Sequence, residues 1–240
     1  MLGYQSKIGR RQFIHEASLR YPIADSITGN GIAIHRVVLE KLHPSFKSKK
    51  IDLVIYNNSL TKAAKKSDKD LLEFYEFKLA KSGTAKENGK EHQRVFDDVV
   101  RLAYCNSWEK KDCFFLMCGT YEEFRAYFVG QKTLVVSNGK TNTVKTSTKL
   151  NPNAPNYEEW KPDGIYKDWF SFEIGESKVK VFNNANQDWG LLPFQKNYNI
   201  RHPKNTFGTS ITVKTTCLAI SPVGDKNKTH VAGIWKIEGS

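Results

Sequence analysis

No apolar stretch of this 240-residue chain approaches the length needed to cross a bilayer, and its first residues lack a signal-peptide core. The expected location is therefore the cytoplasm, with no membrane attachment. Cysteine is scarce: Cys105, Cys113, Cys118 and Cys217 form no C-x-x-C pair and sit among apolar neighbours. This pattern argues against zinc ligation or a disulfide framework and predicts four small core residues. The six histidines make no H-x-x-x-H pattern, so a zinc protease or HNH-type centre has no support. A G-x-x-x-x-G-K-[ST] run is missing, which removes P-loop nucleotide chemistry. Acidic residues are in deficit, 25 against 37 Lys and Arg, for a net charge of +12.

That imbalance favours a polyanionic partner, because a basic surface gains by releasing counterions from phosphate backbones. The excess is spread along the chain: 22 basic against 16 acidic residues in 1–130, and 15 against 9 in 131–240. The length suits one good-sized domain, or a core with a smaller addition.

Apolar spacing predicts a helix from about Arg10 to Ile27, with Pro22 as a kink or an end. A strand over Ile32–Leu42 follows, chosen over helix for its β-branched content. Two further strands contain Ile51-Asp52-Leu53-Val54-Ile55-Tyr56 and Glu73-Phe74-Tyr75-Glu76-Phe77-Lys78-Leu79. A polar loop over 80–90 leads to a helix over Glu91–Ser107. Its Phe96, Val99, Val100, Ala103 and Tyr104 share one side, with Asp97, Asp98 and Arg101 mostly on the other. Cys113–Cys118 has the length of a buried strand, and a strand, helix and strand in that order make a βαβ crossover. From about residue 130 the texture becomes Asn-, Thr- and Lys-rich, with aromatic clusters and two terminal strands, Ile211–Ile220 and His230–Ile237. The expected division is a core over 1–130 and a β-rich extension over 131–240 packed on that core.

Within the core, Glu76 and Lys78 lie two apart on one strand and so project from the same face, while Phe77 turns to the other. If the two runs pair, Asp52, 24 positions before Glu76, joins them. Two carboxylates beside an ammonium suit a hard divalent cation and a water, the equipment of phosphodiester hydrolysis. The pattern resembles the PD-(D/E)XK nuclease superfamily, the fold of many restriction endonucleases, although Ile51 stands where the motif usually has Pro.

The resemblance implies an α/β fold with a mixed sheet, built in the order helix, three strands, helix, strand, here with the β-rich C-terminal extension. It implies Asp52 and Glu76 as ligands of Mg²⁺, with Mn²⁺ as a possible substitute, and Lys78 as the group that orients or deprotonates water. Glu16, the acid on the first helix, is a further catalytic candidate, and Glu40 is in reserve. The implied activity is a metal-dependent endodeoxyribonuclease acting on double-stranded DNA, of type II restriction character and working as a homodimer. Lys81, Lys86, Gln93, Lys196, Arg201 and Lys204 are the candidate DNA contacts, and the half beyond 130 is expected to supply much of the recognition. Arg94 shares with Gln93 a place early in the second helix. Gly164-Ile165-Tyr166 spells half of a GIY-YIG signature whose second half is missing. A non-catalytic nucleic-acid-binding module using basic and aromatic surface is the alternative, and a degenerate nuclease fold serving as a scaffold is a third reading.

Overall fold

The computed structural model describes residues 17–57, 66–80, 85–120, 123–124, 128, 134–137, 140–143, 166–184, 191–202, 204–223 and 230–240. Its elements run α1 (Ala17–Gly29), β1 (Val37–Leu42), β2 (Lys50–Tyr56), β3 (Leu71–Leu79), α2 (Ala85–Glu109), β4 (Asp112–Thr120), β5 (Leu134–Ser137), β6 (Lys140–Thr143), β7 (Ser177–Asn183), α3 (Leu191–Asn197), β8 (Ser210–Val223) and β9 (His230–Gly239). The molecule is an α/β fold whose seven-stranded mixed sheet has the order β1-β2-β3-β4-β9-β8-β7, beside a small β5-β6 hairpin. Up to β4 the order is helix, three strands, helix, strand, as the sequence leads one to expect. β3 and β4 are parallel, joined through α2, and the other neighbours in the sheet are antiparallel. β9, β8 and β7 extend this sheet edge to edge, with β9 beside β4.

The two faces of the sheet carry different helices. Val54, Phe74, Phe115 and Met117 pack with Val95, Phe96, Val99 and Val100 of α2 in the larger core. Leu53, Ile55, Phe77 and Cys118 face Leu19, Ile23, Ala24 and Ile27 of α1. β2, covered on both sides, is buried from Ile51 to Tyr56, which is why it reads as a continuous apolar run rather than an alternating one. The close approach of β9 to α2 explains a glycine: a Cβ on Gly239 would stand 2.0 Å from the Ala103 carbonyl oxygen. All four cysteines are buried, and none of the described helices is long and apolar enough to cross a membrane.

Several boundaries differ from expectation, each for a physical reason. Pro22 does not end α1, whose described part runs to Gly29, and the packed stripe is Leu19, Ile23, Ala24 and Ile27. Tyr21 is 71% exposed, off that stripe, and the expected first turns, residues 10–16, lie outside the described residues. β1 starts only at Val37, because residues 34–36 form a 3-10 turn in which the Arg36 guanidinium donates to the Tyr56 carbonyl at 2.7 Å. α2 begins at Ala85, six residues earlier than periodicity suggests, so Lys86 and Lys90 belong to a helix and not to a loop. Of the aromatic cluster in the second half, the described members are core: Tyr166, Trp169 and Phe170 are buried, and Phe172 packs against the same cluster. Tyr166, the end of the GIY fragment, is hydrogen-bonded to His92 at 2.6 Å inside it.

A buried histidine in this core gives the fold a pH dependence. His43 is fully buried, and its Nδ1 accepts the Ser45 N–H at 3.1 Å. Burial, with Arg101 and Arg201 adding to it, holds its pKa well below the ordinary 6.5. The unfolded chain therefore takes up a proton near pH 6.5 that the native state refuses. Stability is full above that pH and falls below it, by about 1.4 kcal/mol per pH unit from this group. Urea midpoints between pH 7.5 and 5.5 should fall more steeply for the wild type than for His43→Gln; parallel curves would exclude His43 as the cause.

Candidate active site

The carboxylates meet where regular strand pairing stops. β2 and β3 pair from Leu53↔Tyr75 toward Tyr56, and the next step would set Asp52 against Glu76. There the Asp52 side chain takes over from the ladder: its Oδ2 accepts the Phe77 N–H at 2.9 Å. On the other side, β1 pairs Leu39↔Leu53 and Lys41↔Ile51 and skips Glu40 and Asp52. Glu40 has φ 51°, a left-handed conformation rare for a side chain inside a strand. Ile51 and Leu53 would share a face of a regular strand, yet Ile51 lies in the α2-side core and Leu53 in the α1-side core. β2 thus twists at Asp52, which lets its carboxylate reach α1 on one side and β3 on the other.

Each charge in the cluster has a named counter-charge. Arg20 of α1 donates to Asp52 Oδ1 from Nε at 2.9 Å and again from Nη2, and its Nη1 contacts Glu40. Glu40 also receives Lys50 at 3.2 Å, and its carboxyl is held below the ordinary range by that hydrogen bond and by Arg20. From α2, Arg101 Nη2 lies 2.6 Å from Glu76 Oε1 and 2.8 Å from Asp98 Oδ1. The Lys78 ammonium lies 2.9 Å from Asp98 Oδ2. Asp52, Glu76, Lys78, Asp98 and Arg101 are all buried.

The balance of these terms shows at Glu76, which is 3% exposed. Desolvation pushes its pKa well above the ordinary value, the charges of Asp98 and Asp52 push the same way, and Arg101 opposes them. Three carboxylates crowd one buried volume, a state that a cation relieves. Around this centre, Tyr198 donates its hydroxyl to Asp97 and accepts from Arg101, both at 3.4 Å, and Gln93 donates to Asp97 at 2.8 Å.

Asp52 and Glu76 are therefore close enough to act on each other's charge, and Lys78 joins them through Asp98 and Arg101. Asp98 and Arg101 correct the sequence reading: they belong to the buried cluster, not to an outer face of α2. One signal was available, since Asp98 and Arg101 are three apart and so lie on one face of α2. Arg20 had no such signal. Gln93 and Arg94 sit on the third turn of α2, where Gln93 touches the cluster only through Asp97 and Arg94 is exposed. Glu40 joins through Arg20, whereas Glu16, Lys81 and the Lys86 side chain lie outside what is described. Lys196, Arg201 and Lys204 are exposed.

The donor chemistry fits a hard divalent cation. Asp52 and Glu76 supply oxygens only: Asp52 Oδ2 accepts one hydrogen bond, from the Phe77 N–H, and keeps a second lone pair, whereas Asp52 Oδ1 and Glu76 Oε1 each face two guanidinium nitrogens, and a small cation needs only one or two carboxylates. No group of three or more His, Cys, Asp or Glu residues arranged for a metal occurs among the described residues. A cation here would have only this acid pair and water to hold it, in competition with Arg20 and Arg101. Comparison of the chain with protein-family models, curated proteins and solved structures returns no match.

Proposed function

We propose that the chain is a Mg²⁺-dependent endodeoxyribonuclease with a restriction-endonuclease-like core. One observation carries the reading: Asp52 and Glu76, on neighbouring strands, converge with Lys78 in one buried cluster where the β2–β3 ladder opens. The order of elements from α1 to β4 and the basic charge of the chain support it. In its narrowest form the reading is sequence-specific, type II cutting of duplex DNA by a pair of copies.

The chain's residues divide the work. Asp52 and Glu76 hold the cation, and Arg20 and Arg101 keep the pair compensated before it arrives. When bound, Mg²⁺ neutralises charge on the scissile phosphate and makes water a better nucleophile. Lys78, set by Asp98, orients that water and offsets the negative charge that develops on the phosphate oxygens. Burial strengthens each of these interactions relative to water. The decisive assay incubates purified protein with supercoiled plasmid in Mg²⁺, Mn²⁺ or excess EDTA. Nicking or linearisation is expected with either metal and none with EDTA; full cutting in EDTA would sink the metal reading.

The complete pairing of charges favours a second reading, in which the cluster is structural and the protein binds nucleic acid without cutting it. Buried ion pairs of this kind fix a fold as readily as they serve chemistry. Lys78 separates the two: a binding module tolerates its loss, and a nuclease does not.

A further inference from the structure

We propose that Lys47, Lys49, Arg201 and Lys204 form a phosphate track that delivers a nucleic-acid backbone to the Asp52–Glu76–Lys78 cluster, with Tyr198 as the joint between track and cluster. The proposal takes that cluster as the cutting site from the reading above, but its own content is a binding surface.

The track is built from two segments distant in sequence. The turn between β1 and β2 and the segment after α3 are locked together by backbone: Lys47 N–H to Asn199 at 2.9 Å, Arg201 N–H to Ser45 at 2.8 Å, and a β-bridge between Phe46 and Ile200. Phe46, fully buried, anchors the turn. It packs edge-on to Phe194 and Tyr198 and stacks with Phe207. The lysine and arginine stems at this place thus rise from a fixed base, so little loop ordering is lost when a ligand arrives.

The cations on it are uncommitted. Lys47, Arg201 and Lys204 are exposed and Lys49 is half-buried, and among the described residues no carboxylate lies within ion-pair distance of any of the four. The lysines on β7, β8 and β9 contrast with them. Lys178 pairs with Glu176, Lys214 with Glu238, and Lys236 with Asp112, at 2.6, 2.8 and 2.7 Å. A basic surface that has already spent its charge on its own acids offers a phosphate little. One that has not gains by counterion release. Acids near the track are engaged elsewhere: Glu109 by the Ser45 hydroxyl at 2.6 Å, Asp97 by Gln93 and Tyr198, and Asp68 by Lys41 at 2.9 Å.

Continuity with the cluster fixes the direction. The Lys49 ammonium stands 4.4 Å above the Tyr198 ring, and the Arg101 guanidinium lies 5.8 Å from the centre of the same ring. Arg101 in turn holds Glu76. Two side chains, Tyr198 and Arg101, therefore separate the end of the track from the acid pair, and in sequence Lys49 comes three residues before Asp52. Spaced cations leading to acids that hold a divalent ion suit a linear chain of phosphates better than a single anion.

Two matched triple variants test it by fluorescence anisotropy on a labelled DNA duplex, in EDTA so that no cutting intervenes. Lys47→Gln/Arg201→Gln/Lys204→Gln and Lys178→Gln/Lys214→Gln/Lys236→Gln remove the same charge from the track and from strands β7, β8 and β9. The first should weaken binding by roughly tenfold or more at moderate salt and flatten the log–log salt slope by about 0.9 per lost contact. The second should leave both near wild type. Equal losses in the two variants, an unchanged first variant, or no duplex binding by the wild type would each overturn the track. The nuclease reading is judged separately, by metal-dependent nicking that Asp52→Asn abolishes. A protein that binds along the track and never nicks keeps this proposal and loses that one.

Discussion

Lys78→Ala should cut DNA about 10²–10³-fold more slowly than wild type, with the loss in kcat and not in KM. The reasoning starts from where charge appears. Attack on a phosphodiester adds negative charge to oxygens that carry less of it in the ground state, so an ammonium fixed nearby helps the transition state more than the substrate. Lys78 is fixed: it is buried and held 2.9 Å from Asp98. DNA affinity should stay within a small factor of wild type, because affinity resides in distributed surface cations. Asp52→Asn should abolish cutting altogether, since it removes a charged donor from the acid pair. Removing Lys78 leaves Asp98 still paired with Arg101 at 2.8 Å, so the variant should fold, and a thermal melt beside the kinetics checks this. Cutting by Lys78→Ala at the wild-type rate would assign the lysine to structure alone.

The sequence made the strands legible and left much of the site hidden. β2 and β3 could be read because burial on both faces writes an apolar run, and because an acid or lysine inside such a run stands out. The order of elements up to β4 followed from the same contrast. Helix ends were less visible: α2 starts at Ala85 although Gly89 lies in its first turns, and a single glycine costs a long helix only about 1 kcal/mol, which packing further along offsets. The counter-charges were hidden for another reason. Arg20 meets Asp52 across 32 residues, and Arg101 meets Glu76 across 25. Partners of that kind depend on how two helices cover the sheet, and no local pattern encodes it. Asp97, Asp98 and Arg101 looked like the solvated side of an amphipathic helix because charge ordinarily marks that side. On α2 it marks the side that meets the buried acids. Tyr166, Trp169 and Phe170 are core, and their type did not announce it, since Tyr, Trp and Phe serve a core and a stacking surface equally well.

Arg101→Ala should be the most destabilising single change in the cluster, and its rescue should tell whether the acids accept a cation. Arg101 is the shared partner of Glu76 and Asp98, so truncation leaves buried Glu76 without its counter-charge and Asp98 with Lys78 alone. Breaking a buried pair on one side costs about 3–5 kcal/mol, or a Tm lower by roughly 10 °C in a chain of this length. Glu76, already pushed upward by burial and by its acidic neighbours, would then lose the one charge holding it down. A divalent cation can supply what the guanidinium supplied. Mn²⁺ at about one hundred times its dissociation constant adds about 2.7 kcal/mol to any state that binds it. The gain in Tm with Mn²⁺ should therefore be larger for Arg101→Ala than for wild type, where the cation must compete with the arginine. It should vanish in Arg101→Ala/Glu76→Gln, which lacks the charged oxygen. Calorimetry with and without Mn²⁺ on these three proteins reads the site without relying on cleavage. Equal shifts in all three would place cation binding elsewhere on the molecule, and no shift in Arg101→Ala would leave the cluster as an ion-pair lock with no metal to hold.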